Sequence, residues 1–443
     1  MSGDSLWGRQ TALAAQHFAI GGERMPLPLI HALALIKGAA AQVNARLGRL
    51  EADLARAIDE AAQEVAAGQH DAQFPLSPWQ SGSGTQSHMN VNEVLAELAQ
   101  QRLGQARNVH PNDDVNRGQS SNDTVPSALH IALGQGTRQA LLPALDRLAS
   151  TLREQSQRHQ HVVKLGRTHL QDAVPLTVGQ EFGAWLSQIL LARRAVEDAL
   201  PGLLELPLGG TAVGTGLNAH PQFALEVCRE LAARCGLALV PAADRFAGIA
   251  GAEAVVAFHG ALKVLAVALT KIANDVRLLA SGPHGGLAEL RLPANEPGSS
   301  IMPGKVNPTQ CEAMVMVCYQ VIAHDTAVTL GASGGHLQLN TCRPLLAVNA
   351  LGSVRLLADA IDSFEAHAMR GIAVDEAHVD AHLRASLMSA TALAPHIGYD
   401  RAAEIVKRAQ QQGLALREAA VEAGIGAEDF ERWTDVRRLL GPS

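Results

Sequence analysis

Residues 298–308 read GSSIMPGKVNP, a bendable polar loop set between long proline-poor stretches. Gly298 and Gly304 allow tight turns and bring backbone N–H groups close to a ligand. Ser299 and Ser300 offer hydroxyls, Lys305 a positive charge and Asn307 an amide. Asn307-Pro308-Thr309 then reads as a helix start, with Asn307 near the N-cap and Pro308 in the first helical position. A helix start there aims free N–H groups and a partial positive charge back at the loop. The set suits a small dianion whose negative charge grows during reaction. The plain alternative is a polar turn ahead of a helix.

Outward from this loop, the 443 residues are 47% hydrophobic but only 3% aromatic. Ala, Leu and Val therefore carry the apolar share, which favours packed helices over β-sandwiches. The net charge of −7 comes without any basic block, which argues against a nucleic-acid partner. An anionic substrate would be held by local cations. Cys228, Cys235, Cys311, Cys318 and Cys342 contain no CxxC pair and read as free thiols in a reducing, cytoplasmic setting. No run of eighteen charge-free apolar residues occurs, so no membrane span is expected. The opening MSGDSLWGRQ holds an acid and no apolar core segment, and does not read as a secretory leader.

In chain order, residues 1 to about 30 look irregular, and a helical pattern runs from Leu29 to about Ala67, with Leu33 and Ile36 on its apolar face. A second polar knot, QSGSGTQSHMNVN (80–92), can present Ser83, Gly84 and Thr85 to a carboxylate, ahead of a helix starting near Val91. The third knot, HPNDDVNRGQSSN (110–122), lacks the EF-hand ligand order. Its Ser120, Ser121 and Asn122 precede a helix starting near Asp123. Helical segments then cover about 123–158, 176–199 and 242–281, and in the second Phe182, Trp185, Leu186, Ile189 and Leu190 form one stripe. The third is apolar nearly all round. At roughly 60 Å it is too long to be buried inside one small bundle, so packing between subunits is expected. GRTHLQDAVP (166–175) interrupts the helices and holds Thr168 and His169. LGGTAVGTGLN (208–218) lacks the dinucleotide register. A helix follows Pro308 with Glu312 in its first turn, Gly331 to Gly335 breaks the chain, and 353–366 is helical again. The chain beyond Gly371 forms a smaller, more charged helical region.

GSSIMPGKVNPTQCE resembles the signature loop of the aspartase/fumarase superfamily, and most closely that of the class II fumarases. SGSGTQSHMNVNEV, HPNDDVNRGQSSNDTVP, GRTHLQDAVPLTVGQEF, LGGTAVGTGLN and HIGYD resemble the same family in the same order, over nearly the whole chain. The resemblance implies a mainly α fold in three domains: an N-terminal helical domain at 1–120, a central long-helix bundle at 121–366, and a small C-terminal helical domain at 367–443. The central helices would form a twenty-helix core in a homotetramer, with each site shared among three subunits. The implied reaction is reversible anti addition of water to fumarate, giving L-malate, as in the tricarboxylic acid cycle, without metal or organic cofactor.

Carried over by motif, Ser299 resembles the base that takes the C3 proton, and Lys305 its stabiliser. His169 resembles the second catalytic group, with Glu312 as its partner. Ser83, Gly84, Thr85, Ser120, Ser121, Asn122, Thr168, Ser300, Lys305, Val306 and Asn307 resemble substrate ligands. His110, Pro111, Asn112 and Asp113 resemble a secondary dicarboxylate site. The serine loop would close as a lid. The chain departs from the family pattern at His284, at Gln338 with Thr341 and Cys342, and at Asp244-Arg245-Phe246, none of them in that catalytic set. Aspartate ammonia-lyase is the nearest alternative, but the knot SGSGTQSHMN and the loop PGKVNP are both of the fumarase form. Lyases with larger leaving groups and a non-catalytic relative stay behind it, the latter disfavoured because Ser299, Lys305 and His169 are all present.

Overall fold

The computed structural model describes residues 5–104 and 107–440. Among the described residues, seventeen α-helices are joined by irregular segments, short 3-10 and π turns and four two-stranded ribbons. The helices are α1 Arg9–His17, α2 Leu27–Arg46, α3 Ala52–Ala66, α4 Thr85–Leu103, α5 Ser121–Gly136, α6 Leu142–Arg158, α7 Val178–Leu203, α8 Phe223–Cys235 and α9 Arg245–Ala250. They continue as α10 Glu253–Leu279, α11 Thr309–Ser333, α12 Arg343–Phe364, α13 Glu376–Ala385, α14 Ala394–Ile397, α15 Tyr399–Gln412, α16 Leu416–Glu422 and α17 Ala427–Trp433. The strands are β1 Val163–Thr168, β2 Gln171–Thr177, β3 Glu205–Leu206, β4 Val240–Pro241, β5 Leu290–Arg291, β6 Gly335–His336, β7 Leu339–Asn340 and β8 Ala373–Val374, paired β1 with β2, β3 with β4, β5 with β8 and β6 with β7.

The chain forms two compact units. The first comprises Met1–Ala144, Ala192–Val267 and Met316–Ala360, and the second comprises Leu145–Leu191, Ala268–Val315 and Ile361–Ser443. In the first, α2 is the central helix. Its small residues Ala32, Ala34, Ala39 and Ala40 are fully buried beside Leu33 and Ile36, and it packs on α3, α5 and α8. In the second, Phe182, Trp185 and Ile189 face inward, with Phe182 and Trp185 in edge contact at 4.9 Å and the indole N–H donating to Asp275 at 3.0 Å. Leu190, on the same predicted stripe, is exposed instead. The C-terminal helices hold their own core of Leu393, Ile405, Leu416, Ile425 and Phe430.

Several boundaries differ from the sequence reading. Residues 9–17 are helical rather than irregular, because Glu93 accepts from the N–H groups of Gly8, Gln10 and Thr11 and so caps α1. The pattern from 29 to 67 is two helices, broken where Gly48 takes φ +69°. α4 begins at Thr85 rather than Val91, and α5 at Ser121. The segment 242–281 is also two helices. The buried Arg343 donates to the carbonyls of Gly248, Ile249 and Gly251 at 3.1, 2.8 and 2.6 Å, which ends α9 and lets α10 start afresh. α10 is therefore about 40 Å long, not 60.

The expectation of no membrane span rested on the lack of a charge-free apolar run. Among the described residues, three helices, Glu253–Leu279, Thr309–Ser333 and Arg343–Met369, are nonetheless long and apolar enough to cross one, by length and composition. Only 28% of the apolar window in Thr309–Ser333 is buried within the chain, so this helix keeps an open apolar surface, with Met316, Tyr319 and Leu330 exposed. Leu191 on α7 and Val267 on α10 are exposed as well.

Candidate active site

In the first unit the second and third polar knots meet. The Ser81 and Ser83 hydroxyls lie 3.0 Å apart, Ser83 and Thr85 2.7 Å, and Thr85 and Ser121 2.9 Å. The chain of hydroxyls runs between the first residues of α4 and α5, where helix N–H groups have no partner within the helix. Gly84 makes the entry to α4 possible. It takes φ +75°, and a Cβ there would sit 3.1 Å from Val125. Ser120 caps α5 by accepting from the Asn122 N–H at 3.2 Å, and the Asn122 amide donates to the Ala212 carbonyl at 2.8 Å.

Asp123 completes the arrangement. One carboxylate oxygen accepts from the Ser120 N–H and the other from the N–H groups of Gly209 and Thr211, each at 2.9 Å. The glycine-rich run 208–218 is thereby fastened to the start of α5. Burial pushes the Asp123 carboxyl up to about 6. Nearby, Lys37 is fully buried and donates to the Asn116 side-chain oxygen at 2.8 Å, with His88 Nε2 at 2.6 Å. Burial lowers the Lys37 ammonium to about 7, against the pull of Asp123. His88 is pushed well below its ordinary value by burial and by Lys37. Lys37 thus bridges the second knot, through His88, to the third, through Asn116. The capping box Ser120–Asp123 was readable as S-x-x-D. A lone lysine in ALALIKGAA gave only the anomaly of a charge on an otherwise apolar face.

His110 Nδ1 accepts from the N–H groups of Asn112 and Asp113 at 3.3 and 3.1 Å, so Pro111 to Val115 wind into one wide turn. His110, Asn112 and Asp113 are exposed. Asn112, Asp113, Arg117, Ser120, Thr211 and Asn218 line a cavity of about 640 Å³ that reaches from this turn to the start of α5.

In the second unit, GRTHLQDAVP, the interruption in the helical pattern, is part of an antiparallel hairpin. His169 and Leu170 form its two-residue turn at φ +56° and +61°, the pattern of a type I′ turn. Thr168, His169 and Leu170 all stand in solvent. The Ser299 hydroxyl oxygen accepts from the N–H groups of Ile301 and Met302 at 3.2 and 3.1 Å. Asn307 does not cap α11. Its amide donates to the Gly298 carbonyl at 2.6 Å and closes the base of the loop, while Pro308 O accepts the first helical bond, from Glu312 N. A Cβ on Gly298 would lie 2.0 Å from the Lys305 carbonyl, so the closure requires glycine. Ser300, Lys305 and Val306 face solvent, as does Glu312 in the first turn of α11. Among the described residues of one chain, no hydrogen bond or ion pair joins Glu312 to His169, and Lys305 has no carboxylate partner.

Residues 1–323 match the model of the Lyase family, and residues 390–441 match the Fumarase C C-terminus family. A protein from Pseudomonas putida named fumarate hydratase class II is 55% identical, over 99% of this chain and 96% of its own. One of the same name from Pseudomonas syringae pv. tomato is 54% identical, over 99% and 95%. The crystal structure of a class II fumarase from Schistosoma mansoni superposes with a TM-score of 0.97 at 41% identity, covering 100% of this chain and 97% of that one. On these matches and this fold, the chain belongs to the class II fumarate hydratase family of lyases.

Proposed function

We propose that the chain catalyses reversible anti hydration of fumarate to L-malate, with Ser299 as the base for the C3 proton. The observation that carries this reading is the pair of backbone N–H groups donating to the Ser299 hydroxyl oxygen. Donors aimed at that oxygen favour its alkoxide, otherwise a poor species near neutral pH. Lys305, free of carboxylates in the same loop, adds positive charge.

In the malate direction Ser299 removes the C3 proton, and the carbanion delocalises into the adjacent carboxylate as an aci-carboxylate. That group carries about two negative charges and needs preorganised donors. Lys305, Asn307 and Ser300 supply them on one side. Ser83, Thr85, Ser121, Asn122 and Thr168, with the starts of α4 and α5, receive the other carboxylate. His169 then gives a proton to the departing C2 hydroxyl, which leaves as water, and the C2–C3 double bond of fumarate forms. In the hydration direction His169 takes the proton from the attacking water.

His169 sits on an exposed hairpin tip and Glu312 on an exposed helix turn. Their pairing, and a complete site, belong to a homotetramer in which three subunits share each site. The open apolar faces of α7, α10 and α11 support that assembly. The partition at 120 and 366 and the secondary dicarboxylate site at His110 to Asp113 are parts of the same proposal. The five free cysteines support placement in a reducing cytoplasm.

The stereochemistry tests this. Fumarate hydrated in D₂O should give L-malate with a single deuterium at C3, in the diastereomer set by anti addition. A mixture of C3 diastereomers in the proton NMR coupling would contradict it.

A further inference from the structure

The hairpin tip combines two features that rarely occur together. His169 and Leu170 both take left-handed backbone angles, unfavourable for residues with a Cβ, and Leu170 is 73% exposed, so no packing within the chain compensates at the tip. Such a conformation persists only where the surrounding structure over-determines it. The tip side chains from Thr168 to Asp172 stand mostly in solvent in the single chain, so the constraint that the chain itself supplies comes from the hairpin base.

At that base lies a buried cluster of charges. Lys164 on β1 has its ammonium between two carboxylates, 2.7 Å from Glu181 at the start of α7 and 2.9 Å from Glu289. Arg167, on the same strand and two residues before His169, reaches the other oxygen of Glu289 at 2.6 Å. His382 of α13 meets that oxygen at 3.1 Å and lies 3.3 Å from Arg167. Glu289 is itself fixed, its N–H donating to the Leu279 carbonyl and its carbonyl accepting from the Asp375 N–H. Glu289, 1% exposed, therefore ties β1 to α13 through its carboxylate and holds the end of α10 through its backbone N–H. Burial pushes Glu289 up, but Arg167 and Lys164 outweigh it and hold the group below its ordinary value, as a carboxylate.

We propose that Glu289 is a positioning residue for His169: by clamping Lys164 and Arg167 it fixes the direction in which the strained hairpin presents the imidazole. The inference rests on the reading of His169 as the second catalytic group. Two carboxylates divide the work. Glu181 neutralises Lys164 alone, while Glu289 also holds the arginine beside the tip.

The test is a double-mutant cycle on the purified full-length enzyme, with L-malate as substrate. Glu289→Gln should lower kcat by about tenfold or more while KM stays within about threefold. In a His169→Asn background the same change should lower the residual turnover by less than about twofold, because the residue acts through the imidazole. A loss of equal size in both backgrounds would mean a general structural role and would overturn the proposal. So would an unchanged kcat in Glu289→Gln. Near-wild-type turnover in His169→Asn alone would instead remove the underlying reading of His169. If Glu289→Gln does not fold, Arg167→Lys provides the second route. It keeps the charge, loses the guanidinium fork, and should show the same pattern in both backgrounds.

Discussion

The hydroxyl of Thr85 lies 2.9 Å from that of Ser121, joining two polar loops 36 residues apart at the starts of two helices. Each loop alone is an ordinary helix entry. Together they form a patch of hydroxyl and N–H donors beside Asp123, whose oxygens are occupied by backbone N–H groups. Such a patch has the donors that an anion would need.

Thr85→Val removes one donor and keeps the shape. A hydrogen bond to a charged group contributes about 1.5–3 kcal/mol. KM for L-malate should therefore rise about ten- to a hundredfold, with kcat falling less. Steady-state kinetics checks this, and an unchanged KM would remove Thr85 from the substrate ligands.

Ser299→Ala removes the proposed base and leaves the loop's other contacts in place. Turnover should fall by about 10² to 10⁴-fold. A non-reactive dicarboxylate should still bind, as isothermal titration would show. Loss of binding along with turnover would mean that Ser299 shapes the loop rather than takes the proton.

Lys37 makes stability depend on pH. Its native ammonium titrates near 7, whereas the unfolded chain has an ordinary lysine at 10.5. Between these values the unfolded state holds a proton that the native state lacks, so this group's contribution to stability rises with pH across that window. Lys37→Met should remove the rise. The difference in thermal midpoint between wild type and variant, followed from pH 7 to about pH 9, measures it. A pH-independent difference would place the native lysine in its ordinary range.

Much of this architecture is legible in the sequence, and the gaps have physical causes. The helices around Phe182 and after Pro308 follow from uninterrupted periodicity. The break before α10 does not, because it depends on Arg343, more than ninety residues away, binding the carbonyls of Gly248 and Ile249. The strands at 163–168 and 171–177 are short and mixed in composition, and only their mutual pairing makes them a hairpin. Ser299, Lys305 and Asn307 stood out because glycine, proline and polar residues crowd one loop. Asn307 was nonetheless misplaced by one position, since its amide serves the Gly298 carbonyl and not the helix. Glu289 and Lys164 had no local signature at all, being charges whose partners lie in distant elements.

The open apolar face of α11 gives a prediction about assembly. Met316 is 65% exposed in the single chain. Met316→Glu should shift the protein from four times the 46.6 kDa chain mass toward smaller species in light scattering and abolish turnover. An active monomer would contradict the shared site.

The most direct test of the central claim is ultraviolet absorbance of the purified protein with L-malate, beside a parallel sample with L-aspartate. Growth of the conjugated-acid band from malate alone is the predicted result. Growth from aspartate alone would contradict it and make the chain an ammonia-lyase on the same scaffold.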